Sequence, residues 1–170
     1  MARAREVPDL ECDAPFALAA ARTIEVRGAE VVEHSARVLD LTDIERVHDM
    51  RVATRRLRAA MEIFATCFPR KRHKRALREV KAIADALGER RDRDVAIAGL
   101  EAFAAEVGPA DRVGVRTLID RLRAEQEVAN EQLREFVTEE RLAALRQSLE
   151  ELAEEARAEV PRDPARERAA

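Results

Sequence analysis

The sequence has no tryptophan and no tyrosine, and its five phenylalanines make up the 3% aromatic content of 170 residues. Five glycines and six prolines are too few turn formers for an all-β sandwich, which needs a turn about every ten residues. The two cysteines, Cys12 and Cys67, lie far apart and set out neither a disulfide framework nor a zinc site. No apolar run approaches the roughly 20 residues of a membrane span. The longest, Ala14 to Ala21, follows Glu6, Asp9, Glu11 and Asp13, the wrong sign for a signal-peptide start. What is present is a chain 38% charged and 46% hydrophobic, globular in composition and long enough for one domain with its own core. A text rich in Ala, Leu, Arg and Glu reads as helix. The expectation is a cytoplasmic all-α domain.

The net charge of −3 conceals an asymmetry. Between Arg46 and Arg93 stand 15 Lys and Arg against 6 Asp and Glu, and the rest of the chain holds 16 basic and 28 acidic residues. All three lysines, Lys71, Lys74 and Lys81, fall in the basic segment. Such concentration suggests a focused anion site. A solvated helix face is the competing explanation, and the register of the charges separates the two.

Periodicity divides the chain into five to six helices. The first runs from about Pro15 to Leu41 behind an Asp13 cap, with Phe16, Ile24, Val31 and Val38 as its apolar stripe. Thr42 or Asp43 caps a second, in which Val47, Met50, Thr54, Leu57, Met61 and Phe64 are spaced 3-4-3-4-3, up to Pro69. A third carries Leu77, Val80, Ala84 and Leu87 and ends at Gly88, a natural residue just past a helix end. Asp92 or Asp94 then caps a fourth, Val95 to about Val107. Gly108-Pro109 breaks it, with Pro109 suited to the first turn of the next. That fifth helix uses Val115, Leu122, Ala129 and Phe136; a sixth uses Leu142, Leu145, Leu149, Leu152 and Ala156. The architecture expected is an up-and-down antiparallel helical bundle, a single domain over 14–160 with flexible termini at 1–13 and 161–170.

In the second helix, His48, Arg51 and Arg55 each follow an apolar seam residue by one position, as does Arg58. One position is about 100° of rotation, so the cationic stripe flanks the core seam rather than opposing it. The third helix repeats the pattern: Arg78 follows Leu77, Lys81 follows Val80, and Lys74 sits one turn earlier. Two such stripes are expected to line a common groove that needs an external anion. Arginine's planar fork suits phosphate oxygens, and lysine adds a point charge. Arg90, Arg91 and Arg93 extend the groove if a helix begins there; alternatively Arg91 and Arg93 pair with Asp92, Asp94 or a nearby Glu.

Two blocks carry a family resemblance. Val47-His48-Asp49-Met50-Arg51-Val52-Ala53-Thr54-Arg55-Arg56-Leu57-Arg58, followed by Leu87-Gly88-Glu89-Arg90-Arg91-Asp92-Arg93-Asp94-Val95, resembles the CHAD domain, the conserved histidine α-helical domain. The resemblance implies an all-helical domain that binds inorganic polyphosphate through a basic groove, often in association with polyphosphate granules. It implies phosphate contacts at His48, Arg51, Arg55, Arg56, Arg58 and Arg91; Lys74, Arg78 and Lys81 come from the register alone. Arg56 is out of phase with the stripe. CHAD domains carry two related helical halves, and no second His-x-x-Arg block follows Arg93. A half-size version or a fragment is therefore expected, and two copies of a half-size version would rebuild the two-sided groove as a symmetric homodimer.

Rival readings are weaker. The chain has no G-x-x-x-x-G-K-[ST], G-x-S-x-G or H-E-x-x-H, and no alternating-glutamate strand of the triphosphate-tunnel enzymes, so neither catalysis nor a cofactor is expected. His34, His48 and His73 fall on different helices or their ends, with no sign of a metal set; His34 reads as surface, and His73 as groove edge or solvated helix start. Nucleic acid is the best alternative partner, since it too is a line of phosphates. Single-strand binders add aromatic platforms, however, and the basic segment offers only Phe64, in core register, and Phe68.

Overall fold

Five helices are present, and each follows an apolar seam at helical spacing. In a computed structural model describing residues 3–8 and 10–159, they are α1 (Phe16–His34), α2 (Glu45–Ile63), α3 (Arg70–Glu106), α4 (Pro109–Phe136) and α5 (Glu139–Ala158), with a short 3₁₀ turn at Ala65–Cys67. No strand occurs among the described residues. Consecutive helices run antiparallel through short connections. The expected loose tail, 161–170, lies outside the described residues.

The seam of α2 is as the spacing predicts: Val47, Met50, Thr54, Leu57 and Met61 are buried. They meet Ile24 and Val31 of α1, Val80 and Leu87 of α3, and Leu145, Leu149 and Leu152 of α5 in one core. Each large apolar side chain so buried contributes about 1.5–3 kcal/mol. Phe16 is 56% exposed but its ring lies 4.9 Å from that of Phe64. Helices α1, α2 and α5 and the first half of α3 form the body. Helix α4 packs chiefly on α3, so the far half of α3 and the start of α4 run on as a two-helix arm.

Four boundaries differ from expectation. Helix α1 ends at His34, short of Leu41: the Ser35 hydroxyl donates to the Val32 carbonyl at 2.6 Å, and Arg37 takes a left-handed φ of 59°. Val38 is buried all the same. Pro15 rather than Asp13 precedes α1, and Ile44 rather than Thr42 or Asp43 precedes α2. Thr42 instead donates through N and Oγ1 to Asp40 at 2.9 and 2.6 Å, and with Arg37 these bonds hold the Asp40 carboxyl down at about 2. Asp43 pairs with Arg46 at 3.0 Å.

The fourth difference is the largest. The two helices expected on either side of Gly88 are one 37-residue helix, α3. Gly88 has no left-handed φ, and the charged segment behind it is helix interior. The buried phase of Ile83 and Leu87 continues through Arg90, Asp94 and Ile97, at spacings of 4-3-4-3. Arg90 is 0% exposed. Its Nε donates to Asp94 at 2.9 Å and its Nη1 to Asn130 of α4 at 2.6 Å. Gln126 donates to the same Asp94 oxygen at 2.6 Å, and Asn130 donates onward to the Leu39 carbonyl at 3.0 Å. Arg90 Nη2 and Asp94 Oδ2 are buried without a hydrogen-bond partner among the described residues, so the other contacts hold the pair, and removing one member of such a pair typically costs about 3–5 kcal/mol. The α4 seam correspondingly buries Ile119, Gln126, Ala129, Asn130 and Leu133, while Val115, Leu122 and Phe136 are half-buried. The break at Gly108-Pro109 is where the sequence puts it, with proline opening α4.

A methyl group added at Gly88 would meet no atom within 4 Å. Gly88→Ala is therefore expected to raise stability by about 0.5–1 kcal/mol in urea unfolding, through lost backbone entropy of the unfolded chain. A fall in the midpoint would return Gly88 to a helix end.

Candidate functional site

The α2 register sets the site. Because His48, Arg51, Arg55 and Arg58 stand one position past seam residues, they emerge at the edge of the α1–α2–α3 core. Arg51, Arg55 and Arg58 are exposed and His48 is half-buried. The three arginines form one wall of a cleft of about 370 Å³, whose other wall is Ala84, Asp85, Gly88, Glu89 and Asp92 of α3.

That second wall departs from the expected groove of two facing cationic stripes. Helices α2 and α3 are antiparallel, so the α3 residues opposite Arg51 and Arg55 come from the stretch after Lys81, where the stripe has turned acidic. Lys74, Arg78 and Lys81 continue the cationic row beyond the Arg58 end instead. The junction is marked by Glu62, whose Oε1 lies 3.1 Å from Arg58 Nε and 3.5 Å from Lys81 Nζ. The Arg58 hydrogen bond, more than its charge, holds the Glu62 carboxyl below the usual carboxylate range, with Lys81 adding to it. Glu89 is engaged by Arg93, which also donates to the Glu89 carbonyl at 2.9 Å. Arg51 and Arg55 have no carboxylate partner among the described residues.

Arg91 sits in the helix interior, not at a helix start, and its guanidinium already has two protein partners. It donates to the Ile44 carbonyl at 3.0 Å and stands 3.5 Å from Glu45, fastening the first turn of α2 to α3. Arg56 is half-buried, off the stripe. Lys74 and Arg78 are exposed and Lys81 half-buried. His73 is neither groove edge nor solvated: it is buried, donates through Nε2 to the Met61 carbonyl at 2.9 Å and stacks on Phe68 with ring centres 5.6 Å apart. Among the described residues no three of His, Cys, Asp and Glu are grouped to hold a metal ion. A hollow of about 1190 Å³ between Leu39–Leu41 and α4 is lined by Asp40, Glu127, Glu131 and Glu135, with Arg134 paired to Glu131, an acidic balance that is wrong for an anion.

Two features escaped the sequence reading. Arg90 and Asp94 are structural, and the signal was the seam phase running through them. Glu62 stands at the Arg58 end of the cationic edge, and the signal was its position four residues after Arg58, the spacing of a helical ion pair.

The fold and this cationic helix edge define an all-helical polar-cleft domain. Comparison with known families gives it a name: the CHAD domain matches residues 23–170, and the chain belongs to that family. No curated protein matches the chain. No described helix is long and apolar enough to cross a membrane.

Arg91→Ala leaves the Ile44 carbonyl without its cationic donor and frees the start of α2 from α3. A loss of about 1–2 kcal/mol in urea unfolding is expected; an unchanged midpoint would show that the bond contributes nothing.

Proposed function

We propose that this CHAD domain binds inorganic polyphosphate, without catalysis, along the cationic edge of α2. The observation that carries the reading is the row Arg51, Arg55 and Arg58 on one wall of an open cleft, with the first two free of carboxylate partners among the described residues. Unneutralised guanidinium forks at one-turn spacing suit a flexible line of phosphates. The proposed contact set comprises His48, Arg51, Arg55, Arg56 and Arg58 of α2 with Lys74, Arg78, Lys81 and Arg91 of α3. Arg51, Arg55 and Arg58 take the main share. The location that goes with this reading is the cytoplasm, at polyphosphate granules.

Single-stranded nucleic acid is the second reading, and the aromatic placement argues against it. Phe68 is buried and Phe64 packs on Phe16, so neither offers a stacking face in the cleft. Titration with long-chain polyphosphate at two salt concentrations, with single-stranded DNA of equal charge as competitor, tests the choice. Tight binding that DNA does not displace, weakening steeply with salt, is expected, and Arg51→Glu with Arg55→Glu should remove it while far-UV helicity is unchanged. Equal displacement by DNA would move nucleic acid to the front. Unchanged binding by the double variant would remove the site assignment.

The homodimer belongs to the same proposal, and the arm supports it. Between Val95 and Ala105 the only charged residue is Glu101, in a chain 38% charged. Val95, Ala98, Gly99, Ala102 and Phe103 are exposed there. A near-neutral helical face needs a near-neutral partner, and a second copy of the arm supplies one; two hairpins packed about a two-fold axis close a four-helix core. Sedimentation equilibrium should give a dimer for the native chain and a folded monomer for Phe103→Glu. A native monomer, or a dimer that survives the substitution, would exclude this interface.

A further inference from the structure

The cationic residues of the proposed site form two short rows. On α2 lie Arg51, Arg55 and Arg58; on α3, antiparallel to it, lie Lys81, Arg78 and Lys74. Each row spans seven residue steps, about 10 Å at the helical rise. The rows meet at one point, and a carboxylate occupies it. Glu62 Oε1 takes Arg58 Nε at 3.1 Å and Lys81 Nζ at 3.5 Å, so a single oxygen holds the last cation of one row and the first of the other. The three side chains are each a little under half exposed. All three side chains are therefore partly open to a ligand arriving from solvent.

We infer that Glu62 is a specificity-determining gate between two half-tracks, a negative charge that a phosphate chain must pass to run from the α2 row onto the α3 row. The inference rests on the polyphosphate reading of this cleft and deepens it. Arg58 keeps its Nη donors and Lys81 its other N–H bonds, so a phosphate at the junction binds them beside the Glu62 carboxylate or in its place, and in either case meets that carboxylate as a like charge. A short ligand held by Arg51 and Arg55 alone leaves the ion pair untouched. A long chain gains the second row but must lie beside the Glu62 charge to do so. Glu62 thus weakens long chains selectively and sets how many phosphates are needed before the second row becomes useful. It also changes the salt dependence: cations already neutralised by a carboxylate release fewer counterions when phosphate arrives.

Glu62→Gln tests this, because it removes the charge and keeps the shape at an exposed position. The matched control is Glu125→Gln, which removes a carboxylate from an equivalent one-turn pair with Arg121 at 3.3 Å on α4, outside the cleft. Binding of long-chain polyphosphate and of tripolyphosphate would be measured for the native chain and both variants across a salt series, with far-UV helicity as the folding check. The expected result is a gain of about three- to tenfold for the long chain in Glu62→Gln, less than twofold for tripolyphosphate, and a slope of log affinity against log salt steeper by about one to two. Glu125→Gln should change neither ligand by more than about twofold. Equal gains for the two ligands, or equal effects of the two variants, would overturn the gate alone, provided that native binding is lost in the Arg51→Glu, Arg55→Glu protein. Absence of polyphosphate binding by the native chain and by Glu62→Gln would overturn the cleft reading and the gate together.

Discussion

The buried pair Arg90–Asp94 is the constraint on which the remaining geometry depends. A guanidinium with no exposed surface is tolerable only when the surrounding polar groups are held in place. Here they come from three parts of the chain: Asp94 from the same helix, Gln126 and Asn130 from α4, and through Asn130 the carbonyl of Leu39 from the connection between α1 and α2. The pair keeps α3 helical through a segment whose composition favours a turn. It fixes α4 against α3, and it locates the approach to α2. Arg91, the next residue, then reaches the first turn of α2. The wall of the cleft is positioned by the interior of the molecule, and surface ion pairs, worth about 0–1 kcal/mol each, adjust it only locally.

Much of this was legible in the sequence where one helix decides the matter alone. The 3-4-3-4-3 seam of α2 predicted its buried face and, one position on, the edge where Arg51, Arg55 and Arg58 emerge. Gly108-Pro109 marked the α3–α4 connection, and the leucines of α5 marked its seam. Local propensity misled at Gly88. A glycine before a run of charges looks like a helix end, yet each of Arg90 and Asp94 stands on the extrapolated seam of Ile83 and Leu87. Treating position before polarity would have joined the two halves of α3. The same lesson applies to α4, where Gln126 and Asn130 occupy buried phases that a search for apolar residues passes over.

The composition of the cleft could not be read from either helix separately. The excess of basic charge between Arg46 and Arg93 belongs to a length of chain, whereas a ligand meets a face. Which α3 residues oppose Arg51 and Arg55 follows from the antiparallel offset of two helices, a tertiary quantity fixed by the core and by Arg91. That offset brings Asp85 and Asp92 opposite the free arginines and sends Lys74 and Arg78 past the end of α2. His73 shows the complementary case: it sits in the most basic hexapeptide of the chain, but its phase on α3 turns it inward to the Met61 carbonyl.

Helix α3 also connects the cleft to the arm. Lys81, Asp85, Gly88, Asp92, Gly99 and Phe103 fall on one stripe of this helix, at spacings of three, four or seven. The stripe is charged where α2 lies beside it and near-neutral where α2 has ended, so its character changes where its neighbour stops. In the proposed dimer a second copy would cover the neutral part and lie in line with the charged part, at the Arg51 end of the cleft. The α2 row would then be bounded by the partner at one end and by Glu62 at the other. A phosphate chain longer than that row would have to leave it through the Glu62 junction, onto Lys81 and the α3 row. Discrimination by chain length would in this way follow from the continuity of one helix, itself maintained by the buried arginine at its middle.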